Sequence, residues 1–220
     1  MLREADLFAR RERFGEAERA SFWRQYGYDV PATDAMVVSL FAYDSAPLEA
    51  LLDCWSRGPL RIVAAIPEGP LLPRARAFAG NALEVRPLPF LAQSRYDELL
   101  WSCDINFVRG EDSFVRAQWA AKPLAWHIYP QQERAHERKL DAFLNRYCAD
   151  LTPAAGTAVA QLMRAWNAVD VSQDAMTAAW QRFVEHRRAI ENHALEWADR
   201  VAALGDLAAN LADFCRGKLK

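Results

Sequence analysis

The feature that most constrains the fold is an alternation of short apolar runs with segments of helical spacing. Five runs are bounded by turn residues, as buried strands are: 36–43 (MVVSLFAY), 60–67 (LRIVAAIP), 83–90 (LEVRPLPF), 103–108 (CDINFV) and 123–130 (PLAWHIYP). Helical spacing appears between them at 46–57, 93–101 and 113–121. This pattern predicts the α/β class: a doubly wound, mostly parallel Rossmann-like sheet with helices on both faces. The third run contains prolines, so it predicts a short or marginal strand.

Helical segments flank the predicted sheet on both sides. Residues up to about Gly27 predict one charged helix whose apolar stripe includes Phe22 and Trp23. After Glu133 the chain is predicted to be helical to its end, in the segments 140–148, 155–169, 175–204 and 207–219. The tryptophans of these segments predict packing rather than a cofactor site. The predicted division is a linker helix at 1–30, a nucleotide-sugar-binding domain at 31–150 and a helical extension that packs on it at 151–220.

The net charge and the spacing of the cysteines and histidines disfavour several classes of function. The formal net charge of -2 does not favour a general binder of nucleic acid or membrane surfaces. The four cysteines form no CxxC pair, and His186 and His193 lack a visible third ligand, so we expect no metal. With no long apolar run and no signal peptide, we expect a cytoplasmic protein. No GxGxxG follows a strand, which disfavours a nucleotide-dependent oxidoreductase.

Ligands of such sheets bind beyond the carboxyl ends of the strands, which directs attention to the turn 109–113 (RGEDS). Two interpretations remain open from spacing alone. In the first, Asp112 or Ser113 caps a helix and Arg116 lies on its surface. In the second, Gly110 lets the backbone approach a ligand, helix amides receive phosphate oxygens, and the carboxylate of Glu111 accepts hydrogen bonds from sugar hydroxyls.

Aromatic residues near other strand ends allow similar alternatives. Phe90 ends the third run and Gln93 follows it, and they fit either a core Phe with a surface Gln or a pocket for a nucleobase. Phe41 and Tyr43 lie at the end of the first run and, taken singly, predict core residues. His127 lies within an apolar run and predicts a satisfied core histidine rather than a catalyst.

A family resemblance covers most of the chain. The segment "YDELLWSCDINFVRGEDSFVRAQWAAKPLAWHIYPQQERAHERKLDAFLNRY", preceded by "READLFARR", "VSLFAYDSAPLEALL" and "LPFLAQ", resembles the bacterial elongation factor P arginine rhamnosyltransferases. The similarity is dense between Tyr96 and Tyr147 and loose after Thr152. The resemblance implies a GT-B glycosyltransferase that transfers L-rhamnose from dTDP-β-L-rhamnose to an arginine of elongation factor P, with inversion and without a metal.

The resemblance also implies roles for individual residues. Phe90 and Gln93 match positions that hold the thymine, and Phe41 matches a position that lines the same pocket. The remaining donor-binding positions surround the ribose, pyrophosphate and sugar: Gly110, Glu111, Asp112, Ser113, Tyr129 and Gln131. Among these, Glu111 is the predicted catalytic residue.

One departure from the family concerns the acceptor side of the reaction. Family members carry an additional N-terminal domain with the aspartates credited with activating the acceptor arginine, and nothing before Met36 resembles it. We therefore expect this chain to be the donor-binding half, which binds dTDP but does not transfer rhamnose alone. The alternative is a non-catalytic α/β module that senses a nucleotide or docks a partner.

Overall fold

A five-stranded parallel sheet forms the centre of the protein. The computed structural model describes residues 6–131, 135–205 and 207–218. The strands are β1 (Ala35–Leu40), β2 (Arg61–Pro67), β3 (Leu83–Leu88), β4 (Ile105–Arg109) and β5 (Leu124–His127). Their order across the sheet is β3-β2-β1-β4-β5, and Val38 lies opposite both Ala64 and Ile105. The predicted doubly wound parallel sheet is confirmed.

Eleven helices surround this sheet within the described residues: α1 (Leu7–Arg13), α2 (Glu16–Gln25), α3 (Leu48–Arg57), α4 (Leu71–Arg76), α5 (Gln93–Ser102), α6 (Asp112–Trp119), α7 (Ala135–Tyr147), α8 (Pro153–Trp166), α9 (Gln173–Glu185), α10 (Arg187–Ala203) and α11 (Leu207–Lys218). None of them is both long and apolar enough to cross a lipid bilayer, as far as the described residues go.

The period-2 alternation of the strands separates two hydrophobic clusters. Val37 and Val63 pack with Phe22, Trp23 and Leu99, and thus face helices α2 and α5. The alternate strand residues face the other way, into the main cluster that also contains apolar residues of α3, α8 and α9. Helices therefore cover both faces of the sheet, and the apolar stripe of the N-terminal segment is buried rather than free.

The tryptophans of the C-terminal helices belong to this main cluster. Trp166 of α8 and Trp180 of α9 contact the ring of Phe107, with ring centres 5.1 and 6.3 Å apart. Trp180 also lies 5.4 Å from Trp55 of α3. The prediction that these residues serve packing is confirmed, because they fill the space between the added helices and the sheet.

The N-terminal segment differs from its prediction. Where one helix was expected, α1 ends at Arg13 and α2 begins at Glu16. The amide of Gly15 donates to the carboxylate of Glu18 at 2.9 Å, a side-chain interaction that marks a new helix start. Residues 1–5 of the predicted helix lie outside the described residues.

Three further elements depart from the pattern-based expectation. The short helix α4 was not predicted, since Pro73 obscures its periodicity although proline is tolerated in a first helical turn. The predicted helix at 175–204 is two helices that meet at His186. The third strand is six residues long, and it accommodates Pro87 because β3 is at the edge of the sheet.

Candidate functional site

The turn between β4 and α6 requires a glycine. Gly110 has φ +64°, and a Cβ at this position would lie 2.8 Å from the hydroxyl of Tyr43. Its carbonyl accepts a 2.7 Å hydrogen bond from the indole nitrogen of Trp126, and its amide donates to the carbonyl of His127 at 3.2 Å. These contacts fix the turn and bring the start of α6 against the loop after β1.

Helix α6 begins without a side-chain cap. Glu111 occupies the N-cap position, and its side chain forms no capping hydrogen bond. The Ser113 hydroxyl donates back to the carbonyl of Arg109, and the carboxylate of Asp112 accepts from Nε of Arg116 at 3.1 Å. The interpretation in which Asp112 or Ser113 caps the helix is therefore wrong. An uncapped helix start suits an anionic ligand, since its amides and the helix dipole attract negative charge.

Arg116 is not the surface residue that the same interpretation expected. Its side chain is 15% exposed, and its guanidinium binds both oxygens of Asp97 at 3.0 and 2.9 Å. Asp97 belongs to α5 and is buried. The pair thus joins α5 to α6 beneath the turn, because a buried charge requires a partner.

A cavity of about 600 Å³ opens at the carboxyl ends of the strands, in front of the start of α6. Six of the predicted site residues line it: Phe41, Phe90, Gln93, Glu111, Asp112 and Ser113. They come from three separate loops, after β1, β3 and β4. The structure therefore brings together the predicted base-binding and phosphate-binding positions in one cavity.

The aromatic residues of this cavity have different environments. Phe90 is 82% exposed and lies just before α5, so it is not the core residue that composition favours. Phe41 and Tyr43 are half-buried, and the Phe41 ring lies 6.2 Å from the ring of Tyr96. Gln93 is exposed at the start of α5. An exposed ring beside an exposed amide offers both stacking and hydrogen bonding to a flat ligand.

Arg109, the last residue of β4, supplies positive charge to the cavity. Its guanidinium carbon lies 4.1 Å from the ring centre of Phe41 and 4.8 Å from that of Tyr43. One nitrogen donates to the carbonyl of Ala42 at 3.1 Å. Within the described part of the chain, no carboxylate forms an ion pair with Arg109. Its charge therefore remains available to an anion that enters the cavity.

Tyr129 and Gln131 lie in a second, adjoining cavity of about 250 Å³. The ring of Tyr129 is 5.3 Å from that of Tyr43, which lines the larger cavity. Gly110 and Glu111 border the smaller cavity, and Glu111 lines the larger one as well. The predicted site thus comprises two adjoining cavities that share Glu111. Residues 132 and 133 of the predicted loop lie outside the described residues.

His127 supports the site from behind. It is buried, and its Nδ1 accepts a 3.2 Å hydrogen bond from the amide of Tyr43. Burial, with smaller contributions from the charges of Arg109 and His136, lowers the pKa of His127 to about 4. The imidazole is therefore neutral at physiological pH. The expectation of a satisfied core histidine is confirmed.

Sequence reasoning missed several residues of the site. Arg109, Arg116 and Tyr96 line the larger cavity, and Lys139 lines the smaller one. A signal existed for Arg109, since it lies between the predicted strand 103–108 and the turn glycine. No comparable signal existed for Lys139, because helix α7 lies far along the chain from the turn that it approaches.

Known proteins resemble this chain along its whole length. The family model described as Elongation-Factor P (EF-P) rhamnosyltransferase EarP matches residues 1–216. The protein-arginine rhamnosyltransferase of Pseudomonas putida is 41% identical over 100% of this chain and 60% of its own length. The corresponding protein of Pseudomonas aeruginosa is 39% identical over 97% and 59%. The chain thus spans about 60% of the length of these relatives.

Solved structures agree with the family match. A structure that gives the basis for EarP-mediated arginine glycosylation of translation elongation factor EF-P matches with a TM-score of 0.85 and 38% identity, over 99% of this chain and 72% of the other. MurG of Acinetobacter baumannii matches with a TM-score of 0.52 and 11% identity, over 82% of this chain and 48% of the other, which shows a shared fold alone. The chain belongs to the EarP family of elongation factor P rhamnosyltransferases.

Proposed function

We propose that this chain binds dTDP-β-L-rhamnose and forms the donor-binding part of a protein-arginine rhamnosyltransferase. Its acceptor is an arginine of translation elongation factor P, and the transfer inverts the anomeric centre without a metal. Membership of the EarP family supports this reaction class. The widely spaced cysteines, free within the described residues, fit work in the reducing cytoplasm, where translation occurs.

The observation that carries the proposal is the composition of the larger cavity. It places an exposed aromatic ring, Phe90, on one side and the uncapped start of α6 on the other. A nucleotide sugar has an aromatic base at one end and a diphosphate further along, so it needs both kinds of surface. A volume of about 600 Å³ lies in the range of small-molecule sites.

Each contact with the donor then follows from chemistry. The thymine stacks on Phe90 and forms a hydrogen bond with Gln93. The diphosphate accepts hydrogen bonds from the amides of Asp112 and Ser113 and from Arg109. Glu111 accepts from donor hydroxyls, because a carboxylate offers only acceptor oxygens.

The smaller cavity completes the proposed donor site. Tyr129 and Gln131 line it beside Glu111, where a phenol hydroxyl and an amide can donate to phosphate oxygens. Lys139 adds a mobile positive charge on the same side. Together with Arg109 and the helix amides, these groups stabilise the charge that develops on the leaving dTDP.

The chemical step sets a further requirement on the acceptor side. A nitrogen of the acceptor guanidinium forms a bond to the anomeric carbon as the bond from that carbon to the diphosphate oxygen breaks. The guanidinium has a pKa above about 12, so a carboxylate has to orient it and accept the proton that the nitrogen loses. Of the two carboxylates that line the larger cavity, Glu111 accepts from donor hydroxyls and Asp112 binds Arg116, so neither is assigned this role. Asp44 and Glu68 also follow strands, but both are exposed and neither lines the two cavities.

Titration calorimetry of the chain with dTDP, with UDP as the matched control, tests the donor proposal. We expect preferential binding of dTDP. Equal or absent binding of both nucleotides would contradict it. Mass spectrometry of elongation factor P after incubation with dTDP-rhamnose and the chain tests transfer, which we expect to be absent for the chain alone. A chimera tests the alternative: a full-length relative in which the corresponding segment is replaced by this chain. If this chimera transfers no rhamnose to elongation factor P, the function that remains is that of a nucleotide-binding module.

A further inference from the structure

We propose that Arg116, anchored on buried Asp97, is a positioning residue that holds the carboxylate of Asp112 away from the start of α6 and so keeps its first amides open to a diphosphate. This role rests on the proposed donor-binding function of the cavity. It deepens that proposal, because it gives a role to the charged side chains of Asp97, Asp112 and Arg116, which the helix-cap and surface interpretations do not explain.

The problem that Arg116 solves arises from the position of Asp112. An aspartate in the first turn of a helix can accept hydrogen bonds from the nearby backbone amides, and the helix dipole attracts its negative charge to the same place. Those amides are the groups that a phosphate would use. An unrestrained Asp112 carboxylate would therefore compete with an anionic ligand for its own binding site.

The geometry shows how this competition is avoided. The Asp112 carboxylate turns along the helix to Nε of Arg116, one turn further, at 3.1 Å. The terminal nitrogen of the same guanidinium binds Asp97 on α5 at 2.9 and 3.0 Å. The Asp97 side chain is only 3% exposed, whereas that of Asp112 is 69% exposed. The buried carboxylate thus fixes the guanidinium, and the guanidinium in turn fixes the exposed carboxylate.

A lysine cannot perform this task. The guanidinium is a planar fork whose different nitrogens reach two carboxylates at once, whereas an ammonium is a compact charge on a flexible stem. Arg116→Lys therefore keeps a cation beside buried Asp97 but releases Asp112. This variant is preferable to Arg116→Gln, which would remove the cation beside the buried carboxylate of Asp97 and endanger folding.

The test is a cycle of four proteins: the wild type, Arg116→Lys, Asp112→Asn and the double variant. The probes are inorganic pyrophosphate and dTDP, both titrated by calorimetry. We expect Arg116→Lys to bind each probe about 5- to 20-fold more weakly, the loss expected for a helix-terminal anion contact with charge-assisted hydrogen bonds. In the double variant, we expect affinity to return to within about twofold of the wild type, because the competing carboxylate is gone. Asp112→Asn alone should bind pyrophosphate no more weakly than the wild type.

A second readout needs no ligand. Amide hydrogen exchange at residues 112–114 should be slower in Arg116→Lys than in the wild type, because the released Asp112 carboxylate then accepts hydrogen bonds from these amides. Adding Asp112→Asn should restore the faster exchange. Arg164→Lys is the matched control, since Arg164 binds Asp141 at 3.0 Å between α8 and α7, away from the cavity. It should change neither readout.

The outcomes separate this proposal from the donor assignment. If the affinities for pyrophosphate change across the four proteins as expected, but dTDP binds no more tightly than UDP, the role of Arg116 is supported and the choice of donor is overturned. Loss of affinity in Arg116→Lys that Asp112→Asn does not rescue would show a merely structural role and overturn the proposal. Absence of pyrophosphate and dTDP binding in the wild type would overturn both.

Discussion

The guanidinium carbon of Arg109 lies 4.1 Å from the centre of the Phe41 ring, so a cation covers one face of this ring at the carboxyl end of the sheet. A nucleobase cannot occupy that face at the same time. This relationship supports the proposed stacking of the base on Phe90, which is 82% exposed, with Phe41 as the support that holds Arg109 at the cavity.

Replacement of Arg109 by methionine should weaken dTDP binding by roughly 1.5–3 kcal/mol, the range for a hydrogen bond to a charged group. Thymidine, which lacks phosphates, should bind about as well as it does to the wild type. Phe41→Leu should have a smaller effect on dTDP, about 0.5–2 kcal/mol, because it removes the cation–π support but keeps the charge. Calorimetry with both ligands measures the difference. Equal losses for thymidine and dTDP in Arg109→Met would contradict a phosphate role.

Replacement of Phe90 by alanine should weaken dTDP binding by about 1–3 kcal/mol, the range for the stacking of a base on an aromatic side chain. The unfolding free energy should change by no more than about 0.5 kcal/mol, since the ring is exposed. Phe214→Ala is the control, because Phe214 is also exposed but lies on α11. If both variants bind dTDP like the wild type, the base does not stack on Phe90.

Glu111→Ala should weaken the binding of dTDP-rhamnose by roughly 1.5–3 kcal/mol if its carboxylate accepts hydrogen bonds from donor hydroxyls. Glu111→Gln keeps one acceptor oxygen and should lose less. Thermal melts run beside the calorimetry will detect misfolding. A folded Glu111→Ala protein with unchanged affinity would reduce Glu111 to a helix-start residue, whose loss costs at most about 1 kcal/mol of stability.

Acidification should destabilise the protein through His127. The imidazole has a pKa near 6.5 when unfolded and about 4 when folded, so the unfolded state binds the proton first. This contribution to stability is complete above pH 6.5 and is lost as the pH falls toward 4. The difference corresponds to about 3 kcal/mol of unfolding free energy. His127→Asn keeps an acceptor for the amide of Tyr43 and should flatten the dependence of denaturant midpoints on pH. If the denaturant midpoint of this variant depends on pH as steeply as that of the wild type, groups other than His127 cause the acid sensitivity.

Self-association should depend on α11 rather than on the N-terminal helices. The apolar stripe of the N-terminal segment is not available for association, because its residues Phe22 and Trp23 are buried against the sheet. Leu211 and Phe214 remain exposed, 58% and 62%, while the side chain of Leu207 is outside the described part. Light scattering should show association at high concentration that Leu211→Glu abolishes, because exposed apolar patches promote it. A wild-type protein that stays monomeric at all concentrations would contradict this.

The sequence alone determined the class of fold and the location of the site. Its alternation of apolar runs and helical spacing requires a parallel sheet, and a parallel sheet gathers the loops that follow its strands at one edge. The family resemblance then assigned individual residues as distant as Phe41, Phe90 and Glu111 to one site, and in the structure they line the same cavity. The residue types indicated a ligand with an aromatic part and an anionic part.

Only the tertiary structure decided how the side chains of that site are used. Periodicity does not show that the carboxylate of Asp112 turns to Arg116, because the position of that guanidinium depends on Asp97, a buried residue of a different helix. It does not show that Arg109 covers Phe41 either, since Arg109 ends β4, Phe41 follows β1, and the two meet only through the pairing of these strands. A local pattern fixes which face of an element is apolar, whereas the partner of a polar side chain depends on segments that the fold brings near it.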